Sequence, residues 1–353
     1  MPQKEIRPRF RPDASYLLVG GLGGIGQAWA LRMIELGAKN LIFMSPSGAR
    51  SASAKAAVDK MRQLGAAVHV FECDVADKNK LSSCLTDAAS LPPIKGLFHA
   101  GSNFASDLFS NMTAATYATG LRPKVHATWN LHELLPRDMD HFVLFSSAAG
   151  IVGNASQAAY TAASSFQDAF AAYRREQLGL PAVSVDLGMV GGVGHVARHV
   201  DVRRSLEAQG YAAVSPEECM AVLEAAVARP SWAKSVVAGV GEADGGSDSL
   251  VYGTPVMSLL RRAAVARAAG EASARGGAKG SGGSAGALRV RALLKKATTV
   301  EEVEGLVSVA VLAKTCSLLM VTAEDVDVGR PMSQYGLDSL IAVVSCEKPP
   351  ALG

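Results

Sequence analysis

Cysteine is sparse in this chain and forms no motif. Cys73, Cys84, Cys219, Cys316 and Cys346 are scattered over 353 residues without a CxxC pair. An odd number at irregular spacing is not the pattern of a disulfide framework and suits reduced thiols in a cytosolic protein. Net charge is also small. At +3 for this length, nothing global demands nucleic acid or an acidic membrane as a partner. No apolar run reaches transmembrane length, and the opening MPQKEIRPRFRPD has no apolar signal core. What remains is a cytoplasmic globular chain. Its 49% hydrophobic content is ample for a core, and its length has room for one large domain or two smaller ones.

The most informative stretch is FVLFSSAAGIVGNASQAAYTAASSFQDAF, Phe142 to Phe170. It reads as a buried strand, Phe142 to Phe145, a Ser-Ser turn, a small-residue loop and a helix from about Ser156. Ser147 and Tyr160 stand thirteen positions apart. A hydroxyl at a strand end and a phenol on the next helix can converge on one carbonyl oxygen, bind it and protonate it as hydride reaches the carbon.

Upstream, residues 1–14 read as a polar lead-in, followed by a short strand, Ser15 to Val19. GGLGGIG, Gly20 to Gly26, comes next, then a helix with apolar spacing that Gly37 stops. Strand, glycine loop and helix N-terminus is the arrangement that cradles a pyrophosphate. Gly21, Gly23 and Gly26 fit GxGxxG, while Gly20, Gly24 and Gly26 fit GxxxGxG, the spacing of the short-chain dehydrogenases. With Ile25, these glycines make the first candidate cofactor contacts. A second strand, Asn40 to Met44, ends at Ser45 and Pro46 with no acid to hold a ribose diol. Its absence favours NADPH. Arg50 is either a phosphate partner or a solvated surface arginine.

Ala52 to Leu64 reads as a helix and Val68 to Cys73 as a third strand. Asp74 and Val75 follow it. Asp74 either accepts from an adenine amine or caps a turn. Lys78 to Ala89 reads as a helix and Ile94 to His99 as the fourth strand. Ala100, Gly101 and Ser102 after it let a cofactor pass close to the backbone. Tyr117 to Leu135 reads as a long helix containing Lys124, kinked or broken near its start by Pro123. Ala182 to Asp186 is a further strand, and MVGGVGHVA after it is either a lid or an ordinary surface loop. Ser205 to Gly210 and Pro216 to Ala228 read as helices, and Ser235 to Ala238 as a last strand. The alternation predicts an α/β fold, a doubly wound Rossmann-type parallel sheet over residues 1–245. A Gly/Ala/Ser-rich flexible linker covers 246–290, and a small helical module covers 291–353.

GGLGGIG, PKVHATWNLHELL, FSSAAGIVGNASQAAYTAASSFQDAF and VDLGMVGGVG together resemble the ketoreductase domain of polyketide synthases, closest in wording to the fungal highly reducing type. YGLDSL, Tyr335 to Leu340, resembles the carrier-protein motif whose serine, here Ser339, accepts phosphopantetheine. The resemblance implies a reductase of a carrier-bound β-ketoacyl thioester that uses NADPH and works among other synthase domains. It implies that Tyr160 donates the proton, Ser147 orients the oxygen, and Lys124 lowers the phenol pKa and binds the nicotinamide ribose. Ordinary short-chain dehydrogenases carry that lysine four positions after the tyrosine. Here that position is Ser164, and polyketide ketoreductases place the lysine where Lys124 stands. Many family members have asparagine at the position of Ser164, and an arginine at that of Pro46. Phe104, Ala105 and Ser106 replace the bacterial Leu-Asp-Asp signature. With only fourteen residues after Ser339, Pro349 and Pro350 among them, the carrier is expected to be partial and the chain a piece of a larger synthase or a truncated gene product. A rival reading is a catalytically impaired remnant that binds cofactor or docks to a partner.

Overall fold

Each central strand of this protein is apolar on both faces, and that dictates helices on both sides. The structure, a computed structural model, describes residues 9–103, 109–154, 156–192, 213–228, 235–239, 299, 302, 303 and 308. In chain order the elements are β1 (Ser15–Val19), α1 (Gly24–Glu35), β2 (Asn40–Ser45), α2 (Ala52–Gln63), β3 (Ala67–Glu72), α3 (Lys78–Asp87) and β4 (Ile94–His99). They continue with α4 (Ala114–Leu121), α5 (Val125–Leu134), β5 (His141–Ser147), α6 (Ala149–Val152), α7 (Ala158–Glu176) and β6 (Val183–Leu187). Last come β7 (Met189–Val190), β8 (Ala213–Val214), α8 (Pro216–Ala228) and β9 (Ser235–Ala238). Seven strands form one parallel sheet in the order β3-β2-β1-β4-β5-β6-β9, the Rossmann-type α/β arrangement.

Alternation along the strands builds two cores. Tyr16 and Leu18, Leu41 and Phe43, Val143 and Phe145 face one layer with α1, α2 and α8. Leu17 and Val19, Ile42 and Met44, Phe142 and Leu144 face the other with α3, α5 and α7. Each of these large side chains contributes about 1.5–3 kcal/mol by leaving water. The lead-in is partly core. Phe10 is buried and packs edge-on against Tyr16, Trp29 and Phe98, and the Tyr16 hydroxyl accepts from the Arg11 amide at 2.7 Å.

Three local expectations need correcting. The helix over Tyr117 to Leu135 is broken at Pro123 as expected, but it begins earlier, at Ala114 behind a Thr113–Thr116 capping box. Pro123 lies between α4 and α5, since its ring cannot continue α4 and leaves no N–H to bond. The Ser-Ser pair is no turn: both serines continue β5, paired with Asp186 and Leu187. The helix expected from Ser156 starts at Ala158, because Ser156 adopts a left-handed φ of 61°. The small-residue loop before it contains the short α6.

Of the MVGGVGHVA segment, Met189 and Val190 pair with Ala213 and Val214, and residues 193–197 lie outside the described residues. So do the expected helix at 205–210, the linker at 246–290, and most of 291–353 with Ser339. Within that last stretch, Thr299 Oγ1 accepts from the Glu302 amide at 3.2 Å, a helix-capping contact.

Candidate active site

The strand order reverses between β1 and β4, and parallel sheets leave a crevice at such a switch point. A cavity of about 640 Å³ opens there. Gly20, Gly23, Gly24, Ile25 and Gly26 line one side, Ser45, Asp74 and Val75 one end, and Ala100, Lys124, Ser147 and Tyr160 the other. Of the other expected site residues, Ser164 does not reach it, being fully buried on α7, and Ser339 lies outside the described residues.

The glycine loop is shaped for a ligand's backbone. Gly20 has φ +67°, and a Cβ there would meet the Gly101 backbone at 2.9 Å. A Cβ on Gly26 would meet the Gly21 backbone at 2.5 Å. The α1 N-terminus has no side-chain cap and no acid in its first turn, so its free N–H groups and dipole are available to an anion beside the cavity. These features fit the pyrophosphate of a dinucleotide.

At the far end, Asp74 Oδ1 accepts from the Ala76 amide at 3.0 Å, and Oδ2 takes the Arg122 guanidinium at 3.0 Å. Asp74 thus closes a turn, and it also lines the cavity. Ser45 Oγ donates to the Gly48 carbonyl at 3.3 Å. Arg50 is exposed, absent from the cavity lining, and paired with Glu72.

At the other end three groups converge. Lys124 is the N-cap residue of α5, directly after Pro123, and its side chain is 2% exposed. Its ammonium donates to the Phe145 carbonyl at 2.6 Å and to Gln167 Oε1 at 2.8 Å, and lies 5.6 Å from the Tyr160 ring centroid. Gln167 is held in turn by Thr128 at 3.3 Å. Burial pulls the Lys124 pKa down to about 8, against the pull of Asp168 and Asp186. Burial raises the Tyr160 phenol, while the hydroxyls of Ser147 and Ser164 draw it partway back. The Ser164 hydroxyl thus lies beside the phenol, four positions after Tyr160 on α7. Ser147 Oγ accepts from the Ala149 amide at 3.2 Å, which fixes the hydroxyl at the end of β5. His99, fully buried beside them, is pushed down to about 3 by burial and by Lys124.

Sequence reasoning missed several residues here. Gln167 positions Lys124, Arg122 holds Asp74, and Asn154 with Gln157, joined at 2.9 Å, lines the cavity before α7. A signal for Gln167 exists: Tyr160, Ser164 and Gln167 fall at i, i+4 and i+7, one face of α7.

A Rossmann-type sheet with a glycine loop, a strand-end serine and a helix-borne tyrosine at the switch point defines the class: a dinucleotide-dependent oxidoreductase fold of the short-chain dehydrogenase type. The KR domain model matches residues 14–192, and the chain belongs to that family, the ketoreductase domains of polyketide synthases. It is 39% identical over 345 residues to the highly reducing polyketide synthase phiA of a fungal species, and 38% identical over 347 residues to the highly reducing polyketide synthase tstA of Talaromyces stipitatus. Each match covers 97% of this chain and 13% of the relative, so the chain spans about an eighth of their length. Among solved structures, an A-type ketoreductase of a modular polyketide synthase aligns with TM-score 0.62 and 32% identity, over 67% of this chain and 49% of that one. A first-module ketoreductase of phoslactomycin biosynthesis from Streptomyces sp. HK803 aligns with TM-score 0.63 and 29% identity, over 71% and 59%. Among the described residues no helix is long and apolar enough to cross a membrane.

Proposed function

We propose that the chain is an NADPH-dependent β-ketoreductase of a polyketide synthase. It reduces a β-ketoacyl thioester, held on a carrier's phosphopantetheine arm, to the β-hydroxyacyl thioester. The observation that carries this reading is the convergence of Ser147, Tyr160 and Lys124 at one end of a cavity whose other side is a glycine loop.

When bound, the dinucleotide supplies the hydride. The protein supplies the rest. Gly20, Gly23, Gly24, Ile25 and Gly26 would hold the pyrophosphate, Asp74 and Val75 the adenine, and Ala100 and Lys124 the nicotinamide end. Ser147 donates a hydrogen bond to the ketone oxygen and orients it. Tyr160 gives its phenolic proton to that oxygen as charge develops. The Lys124 ammonium favours the phenolate left behind, a charge interaction strengthened by its burial. Ser164 tunes the phenol without touching substrate. NADPH is favoured over NADH because β2 ends in Ser45 and Pro46, with no carboxylate to repel a 2′-phosphate.

The carrier motif at Ser339 fits the same setting: a cytoplasmic synthase whose other domains hand over carrier-bound substrate. The full chain, given NADPH or NADH and a β-ketoacyl N-acetylcysteamine thioester, tests the reading. We expect loss of the reduced-nicotinamide absorbance with NADPH and formation of the β-hydroxy thioester. Tight NADPH binding without oxidation would reject it.

A further inference from the structure

A closed circuit of buried polar groups runs behind the Lys124 ammonium. Gln167 on α7 and Thr128 on α5 have no exposed surface, and Lys124 itself is 2% exposed. Lys124 Nζ donates to Gln167 Oε1 at 2.8 Å, and Gln167 Nε2 donates to Thr128 Oγ1 at 3.3 Å. The Thr128 amide donates to the Lys124 carbonyl at 3.1 Å, so the circuit begins and ends on the same lysine. The Phe145 carbonyl of β5 takes a second N–H of the ammonium at 2.6 Å. Lys124 lines the cavity, whereas Gln167 and Thr128 do not.

Donor and acceptor chemistry settles which way the Gln167 amide faces. An ammonium only donates, so the amide must present its oxygen to Lys124. Its NH₂ then turns to the Thr128 hydroxyl, which can accept. The reverse orientation would set two donors against each other in the interior. Among the described residues, two of the three N–H bonds of Lys124 are thus committed away from the cavity, and one is left for a group inside it. Acceptors on the ammonium favour the charged form, in the direction opposite to burial. The titratable groups around Lys124 are His99 on β4, Tyr160 and Asp168 on α7, and Asp186 on β6. Gln167 differs from them in being neutral and in direct contact with Nζ, so substitution can either remove its acceptor or charge it.

We propose that Gln167 is the positioning residue that keeps the Lys124 side chain protonated and leaves its one remaining N–H for the cavity, with Thr128 fixing the orientation of the amide. Gln167 touches no reacting atom and acts only through the lysine. Its bearing on turnover rests on the reading above, whereas the titration that tests it does not.

The full chain, labelled with ¹³C at the lysine ε-carbon, is titrated by NMR without cofactor. The Lys124 signal is identified by its loss in Lys124→Met. In Gln167→Leu, which removes the acceptor at similar volume, we expect the Lys124 midpoint to fall by about one pH unit. In Gln167→Glu it should rise by about one unit, since a carboxylate then faces the ammonium and Thr128 can turn its hydroxyl to donate. Packing damage at one buried position does not produce opposite shifts from two substitutions. At saturating NADPH the alkaline limb of kcat should move with the midpoint in each variant, with KM for the thioester unchanged. Where the variants of Gln167 do not fold, Thr128→Val serves instead. It keeps the shape of the threonine, frees the amide and should lower the midpoint by less than about one unit. An unmoved midpoint in folded variants, or a fall in both Gln167→Leu and Gln167→Glu, overturns the proposal and leaves Gln167 a packing role. Opposite shifts of the midpoint with an unmoved alkaline limb support the proposal and instead count against the role given to Lys124.

Discussion

The Lys124 ammonium stands 5.6 Å from the centroid of the Tyr160 ring, and the Phe145 backbone carbonyl and the Gln167 side-chain amide oxygen hold it there. The lysine begins α5 and the tyrosine lies in the first turn of α7, so β5 and its Phe145 carbonyl are what bring them together. Thirty-six positions of chain separate two groups that an ordinary short-chain dehydrogenase places four apart on one helix. In the proposed mechanism the same electrostatic work is done from a different element.

Burying that cation leaves a mark on stability. Below pH 8 Lys124 is protonated in both the folded and unfolded chains, and folding carries the full cost of desolvating it. Between about 8 and 10.5 the folded chain gives up its proton first, so the unfolded chain binds more protons and stability rises with pH. The gain attributable to Lys124 is about 3 kcal/mol across that window. Urea unfolding at pH 7, 8, 9 and 10 should show this rise in the parent and not in Lys124→Met.

The glycine loop separates packing from binding. Gly26→Ala forces a Cβ to within 2.5 Å of the Gly21 backbone, which cannot yield as a flexible side chain would. We expect a loss of about 1–3 kcal/mol and a matching fall in thermal midpoint. At Gly23 the nearest neighbour of a new Cβ is the Gly20 carbonyl at 3.4 Å, an ordinary contact. Gly23→Ala should therefore keep the parent's thermal midpoint and lose at least tenfold in NADPH affinity, measured by fluorescence titration.

In the proposed reading, cofactor choice turns on the end of β2. Pro46 lines the cavity there, and Pro46→Asp introduces the carboxylate this chain lacks. The new charge would repel a 2′-phosphate and accept from ribose hydroxyls. The ratio of kcat/KM for NADPH over NADH should fall by at least tenfold, and a ratio unchanged by the substitution would remove β2 from the account of specificity.

The sheet and its helices were legible because their periods are clean. Ile94–His99, Pro216–Ala228 and Ser235–Ala238 stand where apolar pattern and breakers put them. What failed was local. Pro123 broke the helix where its ring was expected to, but the start at Ala114 was missed, and Ser146 and Ser147 looked like a turn because polar residues rarely end a buried strand. The residues of the site were legible by chemical type, but their supports were not. Gln167 and Thr128 each look ordinary in sequence: an amide on one helix and a hydroxyl on another. Their meaning comes from α5, β5 and α7 packing side by side, a long-range fact that no short window carries.

The central claim is that Lys124 and Tyr160 act as a unit. The direct measurement is kcat/KM for thioester reduction in Tyr160→Phe, Lys124→Met and the double variant, each with NADPH binding verified. If the lysine works through the phenol, each single change costs about 10²–10⁴-fold, and the double variant is no slower than the worse single one. If the two losses instead multiply, the groups act independently and the account is contradicted.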